Sequence, residues 1–215
     1  MKNIKTRDLI YCALFAALTA IGAFLHFQLF QATITLQFFF TAMAGVLLGA
    51  KYGAISQAVY VLLGLVGLPI FTMGGGFSYV LQPSFGFLVG LIPSAWVIGT
   101  LCKNAKSFWP MALGILAGLA VLYLIGTPYM GLILNLYLGK GMSVWQIVRA
   151  GCLLYLPGDV LKIVVCTALC LALRALGKTA WLLRNPQFTP RFAAVLDGLV
   201  CEDVPDEATI VSVDV

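Results

Sequence analysis

The chain has 215 residues, 61% of them hydrophobic and only 10% charged, and its mean hydropathy is +1.01. A soluble domain carries about 25% charged residues because water must wet its surface, so this composition excludes a water-soluble globule and makes lipid part of the solvent. The formal charge of +5 does not mark a nucleic-acid binder. The basic residues stand singly at the edges of apolar runs and line no common face.

A spanning helix needs about 20 mostly apolar residues. Met1 to Arg7 is basic and leads into an apolar run, as in a signal peptide. The run continues to Phe27 without a small-x-small cleavage site after a short core, so a retained first span over Leu9 to Phe27 is expected. Within it, Ala13 with Ala17, and Ala16 with Ala20, are small residues four apart. Such faces let helices approach closely, either a partner helix or a neighbour in the same bundle. The second span gathers around Phe38 to Leu48, and the third runs from Ala54 to Leu68. Gly74, Gly75 and Gly76 follow in a loop. They permit positive φ and close backbone approach over a ligand, or form a plain flexible turn. The fourth span is Phe85 to Leu101 and the fifth Met111 to Ile125, where Gly114 and Gly118 offer a rival small-residue face. Residues 126 to 149 extend the fifth helix and turn back, and Pro157 to Leu176 is the sixth span.

The expected fold class is therefore all-α, a polytopic membrane protein of six transmembrane helices. Loop charges orient it, because Lys and Arg prefer the cytoplasmic side. Lys2, Lys5, Arg7, Lys51, Lys103, Lys106, Arg174, Lys178, Arg184 and Arg191 all fall on one side of a six-span layout, and only Lys140 and Arg149 on the other. Both termini are expected to be cytoplasmic. Residues 1–184 form the membrane domain. Residues 185–215 hold most of the acidic groups and read as a soluble, disordered tail.

Two ionisable residues stand inside the spans, Asp159 and Lys162 in Leu156-Pro157-Gly158-Asp159-Val160-Leu161-Lys162. A charge at a helix centre costs about 2.5–3.5 kcal/mol on insertion scales. Spacing of three places the two on one helical face, where they partly neutralise each other. Pro157 suits a first helical turn, and a nearby helix N-terminus favours the Asp159 charge. The pair is either an idle ion pair or a binding site for a small solute with both N–H donors and an acceptor oxygen.

Other chemistries find little support. Cys12, Cys102, Cys152, Cys166, Cys170 and Cys201 form no CxxC pair, and no His completes a metal site with Cys166 and Cys170, so no metal is expected. The single histidine, His26, has no carboxylate nearby for a serine-type hydrolase, and an aspartyl type needs two membrane carboxylates. Gly177-Lys178-Thr179 is not a phosphate-binding loop, because Ala172 stands where the first glycine is needed. The chain is not expected to be an enzyme, and no cofactor is expected.

An ordered set of residues resembles the BioY family, the biotin-specific S components of energy-coupling factor (ECF) importers. The set runs through Thr35-Leu36-Gln37, Ala44 to Gly49, Tyr60, Gly64 to Phe71, Gly74, Gly75, Gly76, Pro83, Gly86 and Gly90, and ends on Asp159 with Lys162. It covers residues 9 to 178. The resemblance implies a six-helix fold in a bacterial plasma membrane, with a substrate cavity near the outer face under the first and third interhelical loops. It implies biotin as the transported ligand, in contact with Asp159 and Lys162: Asp159 would hold the ureido N–H groups and Lys162 a complementary oxygen, with the assignment of biotin's two ends between them left open. Gln37 is implied as a contact, beside the alternative of a solvated loop glutamine. The implied partners are a transmembrane T component, docked on Ala13, Ala16, Ala17 and Ala20, and two ATPases. Met73 replaces a polar residue frequent in the family, and Gln82-Pro83-Ser84-Phe85-Gly86-Phe87 replaces the common Gly-Pro-Thr-Gly-Gly-Tyr. The competing readings are an S component for another vitamin, or an autonomous small-solute transporter.

Overall fold

The computed structural model of the chain describes residues 6–29 and 32–184, with backbone alone at 26–29, 32–34 and 177–184. The acidic segment 185–215 lies outside the described residues, as do Lys2, Lys5, Arg191 and Cys201. In chain order the elements are α1 (Thr6–Phe24), β1 (His26–Leu29), β2 (Ala32–Thr35), α2 (Gln37–Leu65), α3 (Phe85–Leu101), α4 (Phe108–Leu132), α5 (Val144–Val148) and α6 (Leu156–Arg184). Five helical stretches among the described residues are long and apolar enough to cross a bilayer. Their outward faces are as greasy as their cores. Ile10, Leu14, Leu62, Leu113, Leu161 and Val165 are exposed, and Leu124 is 74% exposed. In water such a surface would aggregate; in lipid it is the expected exterior.

α2 is not a straight rod. Gly49 has φ 81° and ψ 177° inside it, a backbone region open essentially to glycine alone. Thr41 Oγ1 donates to Gln57 Oε1 at 3.0 Å, and Gln37 Nε2 donates to Tyr60 Oη at 2.7 Å. In an unbroken helix, positions 41 and 57 would lie about 24 Å apart. The chain therefore folds back at Gly49 into two antiparallel arms, 37–48 and 50–65. Two glycines let the arms touch: a Cβ on Gly53 would lie 3.0 Å from Gly45 Cα. The stretches expected as second and third spans fall on these arms, except that the third was expected to reach Leu68 and the helix ends at Leu65.

Buried polar groups tie the arms to α1. Gln57, Thr41, Thr19 and Ser56 are fully buried, and Gln57 Nε2 donates to Thr19 Oγ1 and Ser56 Oγ, both at 3.2 Å. A polar group sealed from water needs such partners. α3 and α4 run antiparallel, with Ser94 Oγ donating to the Gly118 carbonyl at 2.8 Å.

The structure departs from the all-α expectation at one place. The first interhelical loop is a two-stranded antiparallel hairpin pairing His26 with Thr35 and Phe27 with Ile34. α1 ends at Phe24, so the last residues assigned to the first span belong to this hairpin. Thr33-Ile34-Thr35 is β-branched throughout, and such residues favour extended backbone. The irregular stretch after the fifth span does extend the helix and turn back. α4 passes into a π-helical turn, Ile133–Tyr137, and a second one, Arg149–Leu153, joins α5 to α6.

Candidate binding cavity

A cavity of about 730 Å³ opens where the hairpin end, the start of α2, the loop before α3, the second half of α4 and the first turns of α6 meet. Phe38, Phe87, Leu88, Leu91, Leu122 and Met130 supply apolar wall. Asp159, Lys162, Tyr123, Tyr155, Gln37 and Thr35 supply polar groups on the same wall set.

All of these but Tyr155 form one connected chain. Asp159 is 4% exposed and pairs with Lys162 through Oδ1. Its other oxygen, Oδ2, accepts from the Tyr123 hydroxyl on α4. Lys162 Nζ also donates to the Thr35 carbonyl at 3.2 Å, which ties α6 to the hairpin. Thr35 Oγ1 donates to Gln37 Oε1 at 3.4 Å, Gln37 Nε2 to Tyr60 Oη at 2.7 Å, and Tyr60 Oη to the Ile70 carbonyl at 3.0 Å. A carboxylate with only an ammonium beside it would be poorly satisfied at this depth. Here both its oxygens are engaged. An ammonium has three N–H donors. Those of Lys162 toward Asp159 and Thr35 leave one for the cavity, and Asp159 keeps lone pairs of its own. The site therefore presents a neutral, paired donor–acceptor edge rather than a bare charge.

Asp159 lies in the first turn of α6, as its sequence context suggests. That turn is not an open helix end, because the Asp159 N–H already donates to the Tyr155 carbonyl at 3.0 Å. The charge is balanced by Lys162 and Tyr123 more than by free N–H groups.

Gln37 borders the cavity and is buried, so it is no solvated loop residue. None of Gly74, Gly75 and Gly76 is among the bordering residues; their loop contributes Thr72 and Met73 instead. The glycines answer to backbone geometry. Gly74 and Gly76 have φ of 109° and 103°, and a Cβ on Gly75 would sit 2.1 Å from the Leu68 carbonyl oxygen. Phe71, fully buried, plugs the loop against Gly64, and its ring packs edge-on to Tyr60 at 5.5 Å.

The small residues of α1 divide. Ala16 is buried in the bundle core and Ala20 half-buried, whereas Ala13 and Ala17 face outward. The rival pair Gly114 and Gly118 is used internally: a Cβ there would strike Cys102 Sγ and Ile98 Cγ1.

Tyr123, Tyr155, Tyr79 and the Thr35 carbonyl are site groups that the sequence reading did not reach. The signal for Tyr123 is faint. It is a phenol in the middle of an apolar helix, where a buried hydroxyl needs a partner. Among the described residues no cluster of three or more His, Cys, Asp or Glu converges.

The chain matches the model of the BioY family over residues 1–179. It is 41% identical over 179 residues to the "Probable biotin transporter BioY" of Lysinibacillus sphaericus, covering 81% of this chain and 88% of that protein. It is 36% identical over 172 residues to the biotin transporter BioY of Thermotoga maritima, covering 79% and 97%. Among solved structures it resembles the S-component for biotin from an ECF-type ABC transporter, with TM-score 0.69, 26% identity, and coverage of 81% of this chain and 94% of that one.

Proposed function

The chain belongs to the BioY family, and we propose that it captures biotin as the substrate-binding component of an ECF-type importer. The observation that carries this is the Asp159–Lys162–Tyr123 cluster on the wall of the cavity. A cyclic urea presents two N–H donors flanking a carbonyl. Asp159 accepts the donors, the remaining Lys162 N–H meets the carbonyl, and the thioether ring lies against Phe87, Leu88 and Leu122. The carboxylate chain then extends toward the mouth. Gln37 steadies the near wall. Gly74, Gly75 and Gly76 shape the loop that carries Thr72 and Met73.

In this reading the chain crosses a bacterial plasma membrane six times. The fold-back at Gly49, which makes two spans of α2, supports that count. Arg7 and Tyr52 share a small hollow, Gly99 packs on Ala50, and Lys51, Lys103 and Lys106 lie nearby in sequence. That cation-rich end lies opposite the cavity and is assigned to the cytoplasm, with both termini there. A T component and two ATPases supply the energy, and the outward Ala13 and Ala17 offer the T component a smooth face. The chain itself is a carrier, not an enzyme.

The test is calorimetric titration of the detergent-solubilised protein with biotin, thiamine and riboflavin. Saturable heat with biotin alone is the expected result. Absence of biotin heat, or stronger binding of another vitamin, would overturn the reading. Tyr123→Phe removes one donor to a charged acceptor, a bond worth about 1.5–3 kcal/mol. It is expected to weaken biotin binding at least about tenfold and to lower the melting temperature by a few degrees, because Asp159 loses a partner in the empty protein as well; equal affinity in both proteins would remove Tyr123 from the site.

A further inference from the structure

The described residues contain only two acids, Asp8 and Asp159. Asp8 lines the small hollow with Arg7 and Tyr52 at the end away from the cavity, and Asp159 is paired with Lys162. At the cavity end, segments 25–37 and 66–84 hold no Lys, Arg, Asp or Glu at all. Two cations nevertheless stand there, Lys140 and Arg149, both exposed. Among the described residues neither forms an ion pair.

Their backbone is well fixed. Lys140 sits between Gly139 and Gly141, both with positive φ, and its N–H donates to the Leu134 carbonyl at 3.0 Å. The Asn135 side chain clasps the same turn, donating to the Met142 carbonyl at 2.9 Å and accepting from the Met142 N–H at 2.7 Å. Ser143 and Gln146 cap α5 reciprocally. Arg149 closes α5 and opens the π turn that brings Gly151 to the cavity wall, two residues on. Both charges are thus held on fixed backbone, in the stretch of chain between Met130 and Gly151, two residues of the cavity wall.

Topology does not explain them, because cations on the outer side run against the orientation bias. The chemistry of the ligand does. A small monocarboxylate is an anion, and its binding edge at Asp159 and Lys162 is already neutral. A positive rim with low-dielectric walls raises the local concentration of such an anion. We propose that Lys140 and Arg149 steer the anionic ligand to the cavity mouth and raise its association rate while leaving its residence time unchanged. This inference rests on the biotin reading above.

The experiment is stopped-flow binding with the protein in uncharged detergent, comparing wild type, Lys140→Gln/Arg149→Gln and Lys140→Arg/Arg149→Lys. Ligands are biotin and its uncharged primary amide. At about 20 mM salt the field reaches well past the mouth, whereas at about 0.5 M it is screened within a few ångströms. The glutamine double variant is expected to associate with biotin roughly three- to tenfold more slowly at low salt and like wild type at high salt. Its dissociation rate stays within about twofold, the charge-preserving variant matches wild type, and the amide shows no difference. A flat salt dependence in wild type, or an equal slowing for the amide, would overturn steering while leaving biotin capture intact. Unchanged rates with a lowered melting temperature would make the two residues interfacial anchors beside Trp145, and would overturn it too. A wild type that binds no biotin at equilibrium defeats both readings.

Discussion

Lys162→Ala is expected to cost at least about a hundredfold in biotin affinity, since stripping one partner from a buried ion pair costs about 3–5 kcal/mol. The variant leaves Asp159, 4% exposed, with only the Tyr123 hydroxyl, and it unfastens the hairpin at the Thr35 carbonyl. Asp159→Asn is expected to be nearly as damaging. It keeps the shape but replaces an acceptor-only group with one that presents an N–H to the ligand. The double variant Asp159→Asn/Lys162→Met removes both charges together. It is expected to regain much of the thermal stability lost by Lys162→Ala while remaining unable to bind. Equilibrium binding of tritiated biotin, run beside melting curves, separates the two effects. Wild-type affinity in either single variant would show that the pair is structural only.

The second large effect is expected at Gly99. A Cβ there would fall 2.2 Å from Ala50 N and 2.4 Å from Ala50 Cα. The obstacle is backbone, next to the fold-back at Gly49, so no rotamer change can relieve it. Overpacking in a tight core costs about 1–3 kcal/mol, and more where nothing can give. Gly99→Ala should therefore lower the melting temperature and the yield of monodisperse protein. Gly90→Ala is the milder control, because its Cβ would come no nearer than 3.1 Å to Leu122 Cδ1 and 3.3 Å to the Leu122 carbonyl oxygen. Equal stability of the two variants would contradict the close apposition of α3 and the α2 turn.

The spans were legible because lipid imposes one rule on every helix: it must be apolar for its whole length. The break between the second and third spans could be read from Lys51 in an otherwise apolar run, but not the part that Gly49 plays in it. The hairpin after α1 was not, because a short loop of Gln, Thr and Phe carries no periodicity long enough to count. Asp159 and Lys162 stood out by cost, since a charge in a span must be accounted for. Tyr123 and Tyr155 did not. A tyrosine counts among the apolar residues, and its hydroxyl is silent until a partner 36 residues away is brought beside it. The loop glycines show the opposite difficulty. Their pattern is conspicuous, yet Gly75 is required by the Leu68 carbonyl and Gly74 by its φ of 109°, whatever fills the cavity. The α1 alanines divided because spacing alone cannot say which of two smooth faces turns inward.

A structure of the protein with biotin bound tests the central claim most directly. The ureido group is expected within hydrogen-bond distance of the Asp159 carboxylate and of Lys162 Nζ, with the valerate chain running toward the mouth. Biotin seated elsewhere, or lodged with its carboxylate on Lys162 and its ureido ring away from Asp159, would contradict it.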